Sequence, residues 1–194
     1  MKHFWNTTYT STLDPLTDFI TFRFAWSTNA PLWKKSFLNG KLLFNESLKS
    51  SQDWEFHVKM LSFKPVFMKL DDALVLNRMH PQRIGVLNNS SNKTNRLETR
   101  IIAFNELKKK DILNEEIKKY FQSFFINQFK YIAKKEENIP KKVMPLIKEC
   151  SHSISWRFKI YPAIWCYVVI FNLFGKKHLT FKYLLKQVVN DSRK

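Results

Sequence analysis

The stretch "SSQDWEFHVKML", residues 50–61, sets a carboxylate, Asp53, in what reads as the first turn of a helix. Two kinds of chemistry fit that position. Ser50 or Ser51 is a good N-cap, and a first-turn carboxylate is stabilised by the helix dipole, typically by about 0.3–1 kcal/mol. The same carboxylate, held at a helix N-terminus, can act as a general base that takes the proton of an attacking hydroxyl. The local pattern admits both. The adjacent Asp71-Asp72 reads as a turn, and Cys150 and Cys166 form no CxxC and no metal-ligand cluster, which leaves two free thiols. None of the 3 glycines falls in a phosphate-cradling pattern.

The elements that must position these residues follow from periodicity. A helix-like stretch begins after Asp14-Pro15, and Pro31 keeps Ala30 extended, so residues 28–31 read as a loop or strand end. In the helix that carries Asp53, Trp54, Val58 and Leu61 share one face, and Phe56, Met60 and Phe63 form a second apolar row. That helix is therefore expected to be buried on more than one side, and Pro65 to end it. Residues 65–80 alternate and are rich in Val, Leu and Phe, which predicts two short strands around Asp71-Asp72. Residues 86–97, "VLNNSSNKTNRL", read as a polar linker between a domain at 1–85 and a basic, mainly helical region at 98–194. Within that region residues 98–135 read as one or two amphipathic helices with an aromatic face of Phe121, Phe124, Phe125 and Phe129, and "ENIPKKVMP" as a connector.

Composition narrows the class. With 44% apolar and 15% aromatic residues the chain is no disordered tail. Its net charge of +17 is uneven: residues 1–85 carry 11 Lys/Arg against 7 Asp/Glu, and residues 86–194 carry 22 against 9. A basic second half calls for an anionic partner. The apolar run Tyr161–Phe174 is shorter than the roughly 20 residues that cross a bilayer. It reads either as a core helix or as an interfacial segment, with Trp165, Tyr167 and Phe171 at headgroup depth and Lys176, Lys177, Lys182 and Lys186 facing anionic lipid. The first residues have no apolar core of a secretory signal, and two unpaired cysteines fit a reducing compartment, so the expected location is cytoplasmic, peripheral on the inner face of the cell membrane.

Several pieces recur in one order. Pro31-Leu32-Trp33-Lys34-Lys35 is followed by Phe44-Asn45-Glu46-Ser47-Leu48, then Gln52-Asp53-Trp54-Glu55, then Arg78-Met79-His80. Together, over roughly residues 25–83, they resemble the second half of the family 2 glycosyltransferases, inverting enzymes that move a sugar from a nucleotide-sugar to an acceptor hydroxyl. The resemblance implies an α/β architecture, a partial GT-A (Rossmann-like) fold without its N-terminal nucleotide-binding half, followed by the helical C-terminal region. It implies Asp53 as the catalytic base, Gln52, Trp54 and Trp33 as acceptor-binding residues, and Arg78 and His80 beside the donor diphosphate. For the complete family enzyme it implies a divalent cation, Mg or Mn, whose Asp-x-Asp ligands this sequence lacks.

The expected function is therefore sugar transfer in cell-surface polysaccharide or lipopolysaccharide synthesis, with a nucleotide-sugar donor, a saccharide or lipid-linked acceptor and an anionic membrane surface as partners. Without the metal clamp the chain is expected to be inactive alone, as a truncated remnant, a mis-called start, or one half of a split enzyme whose other chain supplies the nucleotide-binding half. The competing reading is a basic nucleic-acid-binding or helical interaction protein without catalysis. Against nucleic acid, the aromatics fall at core-like helical spacing and no helix-turn-helix or RNP-type signature is present.

Overall fold

A computed structural model describes residues 14–26, 28–68, 70, 90–132 and 138–150, together with 162 and 166. The chain divides into two compact units, residues 1–113 and 114–194.

Among the described residues the first unit holds four helices. α1, Pro15–Ile20, starts at the position expected from Asp14-Pro15. The Asp14 carboxylate accepts from the backbone N–H groups of Leu16 and Thr17, both at 3.2 Å, and Pro15 occupies a first-turn position where no N–H is needed. The chain leaves the helix through Phe22, in the left-handed region at φ 59°. The carbonyl of Asp18 then accepts from the N–H of Arg23 at 2.9 Å, and the buried Asp18 side chain pairs with Arg23 at 3.1 Å. α2, Lys35–Leu38, is a single turn closed by Gly40 at φ 72°. α3, Gln52–Leu61, is buried from Trp54 to Val58 and again at Met60 and Leu61, so the first apolar row is used in full and the second at Phe56 and Met60, while Phe63 lies beyond the helix and is exposed. It packs against α1 on one side and against α4, Ser90–Lys109, on another. From α4, Leu97, Ala103, Phe104 and Leu107 enter the core. The Thr99 hydroxyl lies 2.9 Å from the carbonyl of Ser50, just before α3.

The second unit pairs α5, Glu115–Ile132, with α6, Asn138–Glu149. The Asn114 side chain caps α5 by accepting from the N–H of Ile117 at 2.8 Å. Ile117, Phe121 and Phe125, four residues apart, are fully buried, as are Val143 and Ile147 from α6. Cys150 is buried in the same unit, and desolvation pushes its thiol up to about 12, so it stays protonated and inert. No helix of the described residues is long and apolar enough to cross a membrane.

This architecture overturns the α/β expectation. The described residues contain helices and no strand, so a partial GT-A sheet is not what they form. The alternation at 65–70 misled because alternation records two faces and supplies no hydrogen-bonding neighbour. Lys64 takes a left-handed φ of 51°, Pro65 contributes no N–H, and Val66, Phe67 and Met68 are exposed in succession rather than alternately. Residues 71–80, the rest of the expected strands, lie outside the described residues, as does the run 161–174 apart from 162 and 166. Two further corrections concern boundaries. Residues 90–97, expected as linker, are the first two turns of α4, and the division of the chain falls after Leu113 instead. The expected connector 137–145 lies mostly within α6. Pro140 sits in the first turn, where its missing N–H goes unused, and the burial of Val143 and Ile147 offsets the bond lost at Pro145.

Replacing Asp14 by Ala removes the cap of α1 and is expected to lower the unfolding free energy by about 1 kcal/mol, read from urea unfolding with an unchanged denaturant slope.

Candidate functional site

The entry to α3 has an unusual division of labour. Ser51, the residue before the helix, adopts the left-handed conformation (φ 60°, ψ 26°) and makes no side-chain cap bond. Asp53 supplies part of the missing cap, because its Oδ1 accepts the N–H of Trp54 at 2.8 Å. Its other oxygen, Oδ2, accepts the hydroxyl of Thr28 at 3.3 Å. The carboxylate itself is exposed. The two roles read from the sequence thus fall on different oxygens of one side chain. Oδ1 serves the helix, and Oδ2 already holds a hydroxyl.

One turn further along α3 from Asp53 lies His57, sealed inside an aromatic cluster. The rings of Phe19, Trp26, Phe56 and Trp33 stand 5.7, 5.7, 5.3 and 6.3 Å from its centroid, with Trp33 stacked at 20°. Trp33 also stacks on Phe37 at 5.5 Å, and Trp26 meets the edge of Trp33 at 6.4 Å. Burial pushes the imidazole down to about 4, against the opposing pull of the Asp53 charge, so His57 is neutral at pH 7. Among the described residues, both ring nitrogens of His57 and the indole nitrogens of Trp26 and Trp33 are buried without a hydrogen-bond partner.

The other expected site residues are sent elsewhere. Gln52 donates to the carbonyl of Leu48 at 2.7 Å and fastens the loop that precedes α3. Trp54 is buried in the core face, with the Arg100 guanidinium of α4 3.4 Å from its ring centroid, so a cation–π contact occupies the ring that a sugar would need. Arg78 and His80, and the turn Asp71-Asp72, lie outside the described residues. Of the expected acceptor-binding residues, Trp33 is brought to the side of α3 that carries Asp53 and His57, and Gln52 and Trp54 are not. Thr28, Trp26 and His57 join the site unannounced. His57 had one readable signal, its four-residue spacing from Asp53.

A second polar cluster lies between α3 and α4. Glu55, Lys59, Ser62, Glu106 and Lys110 line a shallow groove with room for little more than one water. Lys59 pairs with buried Glu55 at 3.1 Å and donates to the carbonyl of Leu43 at 2.8 Å, and Lys110 donates to the Ser62 hydroxyl at 2.7 Å. Burial raises the Glu55 carboxyl above its ordinary value, with Lys59 opposing, and lowers the Lys110 ammonium. These are the bonds of a helix–helix seam.

Among the described residues no three His, Cys, Asp or Glu side chains gather, and Asp53 has a threonine beside it rather than a second carboxylate. No family model, no curated protein and no solved structure matches the chain.

The buried histidine fixes a pH dependence. Its folded value, about 4, lies below the ordinary 6.5, so the unfolded chain binds more protons between those limits. Stability is therefore complete above about pH 6.5 and is lost as pH falls toward 4, by on the order of 3 kcal/mol. Glu55 works in the opposite sense in part of that window, because its raised value makes the folded state the better proton binder. The difference between wild type and His57→Phe in urea unfolding at successive pH values isolates the imidazole. The variant is expected to lose less stability below pH 6.5 than the wild type, and parallel curves would place the proton uptake elsewhere.

Proposed function

We propose that the first unit is the acceptor side of a sugar-transfer reaction, with Asp53 as the general base. The observation that carries this reading is the bond from the Thr28 hydroxyl to Asp53 Oδ2, at 3.3 Å on an exposed carboxylate. A substrate hydroxyl in place of, or beside, that of Thr28 meets an acceptor oxygen already oriented by the bond between Oδ1 and the helix backbone. Trp33, which the resemblance assigns to the acceptor, and Trp26 are half-buried in the neighbouring aromatic cluster. In the reaction, Oδ2 takes the hydroxyl proton as the acceptor oxygen forms its bond to the anomeric carbon. The bond to the nucleoside diphosphate breaks on the opposite side, which inverts the centre.

In this reading Arg78 and His80 stand beside the donor diphosphate, and a separate chain supplies the nucleotide-binding half. The location is the inner face of the cell membrane, where polysaccharide or lipopolysaccharide acceptors are extended, and the charge of +17 supports contact with anionic lipid there. A helical interaction module without catalysis is the second reading, favoured by the helix-only architecture of the described residues.

Saccharide binding, followed by tryptophan fluorescence, and release of nucleoside diphosphate from nucleotide-sugars in membrane extracts containing the chain test the assignment. Asp53→Asn is expected to abolish chain-dependent release while saccharide affinity changes by no more than a few-fold, and Trp33→Ala is expected to weaken that affinity about tenfold. Full turnover by Asp53→Asn would leave the carboxylate only its helix-capping role. Absence of both saccharide binding and release by the wild type would favour the interaction module.

A further inference from the structure

The loops at 31–44 and 63–70 give the first unit a second feature, separate from the carboxylate. Leu32 and Val66 are fully exposed, and Leu42 and Met68 are 86% and 85% exposed, with Phe44 and Leu70 about half out. The two loops are neighbours. The Lys41 ammonium stands 4.3 Å from the Phe37 ring and 5.2 Å from the Phe63 ring, and Trp26 touches both Trp33 and Phe67. Between the apolar tips stand Lys34, Lys35 and Lys64, all exposed, and neither segment contains an Asp or Glu.

We infer that these two loops form the surface by which the first unit docks on a bilayer containing anionic lipid. Two properties choose lipid over a protein partner. The apolar groups are single tips raised among lysines rather than the walls of a groove, and a fluid acyl region receives convex tips without a matching shape. The charge is of one sign, which complements anionic headgroups and leaves no acidic residue to pair with a basic partner. The inference rests on the membrane location in the reading above and is independent of the transfer chemistry.

Co-sedimentation of the full chain with phosphatidylcholine vesicles, with and without phosphatidylglycerol, tests it. Binding is expected only with phosphatidylglycerol and is expected to fall with added salt. The decisive variant keeps every charge: Leu32→Ser, Leu42→Ser, Val66→Ser and Met68→Ser together are expected to weaken partitioning about tenfold or more. These side chains are exposed, so the circular dichroism spectrum is expected to stay unchanged. Lys34→Glu with Lys35→Glu gives a second, independent route to the same loss. Undiminished binding by both variants would overturn this surface while leaving the membrane location standing on the rest of the basic chain. No vesicle binding by the wild type would overturn the surface and the location together. Retention on RNA without vesicle binding would do the same, as would self-association abolished by the serine substitutions.

Discussion

The first unit depends on the burial of a single ten-residue helix on nearly every side. α3 is held between α1 and α4, and its interior carries two ionisable groups, Glu55 and His57, as well as its apolar rows. Each is tolerated for a different reason. Glu55 is held by Lys59 across one helical turn, and desolvation favours its neutral form. His57 is kept uncharged by a shell of aromatic rings. A helix buried this fully meets solvent chiefly at its N-terminal end, and Asp53 is the exposed residue there. Burial of the body of α3 therefore confines its accessible chemistry to the first turn.

The parts of this arrangement that were legible in the sequence are those governed by local physics. Asp14-Pro15 starts α1 because a carboxylate cap and a proline at the first position act within four residues. The two apolar rows of α3 and the Phe121–Phe125 face of α5 follow from helical spacing alone. What stayed hidden depends on partners far along the chain. The segment 65–70 has strand-like alternation, yet a strand exists only if another strand accepts its bonds, and none of the described residues does so. Ser90 to Arg96 is polar throughout and reads as linker. It becomes helix where Leu97 is buried and the Thr99 hydroxyl donates to the carbonyl of Ser50 in the loop before α3. The stacking of Arg100 on Trp54, 46 positions apart, had no signature in either neighbourhood.

The same distinction explains why the site was only half readable. A family resemblance assigns roles to residue types in order, and it placed Gln52, Asp53, Trp54 and Trp33 around one acceptor. Helical geometry separates them, because consecutive residues on α3 diverge by about 100°. Gln52 turns back to Leu48, Trp54 enters the seam with α4, and Asp53 remains outside. Trp33 rejoins Asp53 through His57, which returns to the same face one turn later. Thr28 arrives from a loop 25 residues upstream, a placement that no periodicity encodes.

The loop that carries Trp33 also links the carboxylate to the apolar tips. Leu32 is fully exposed, while the next side chain, Trp33, packs against Phe37 and His57. Neighbouring side chains in an extended segment leave the backbone on opposite sides, so the inward anchoring of Trp33 is what turns Leu32 outward. Lys34 and Lys35 then open α2 on the solvent side. The aromatic packing of Trp33 on Phe37 and His57 thus fixes the direction in which the apolar and basic tips project. A change at Trp33 would disturb both features at once, whereas a change at Leu32 removes only an exposed tip and leaves the packing around His57 intact.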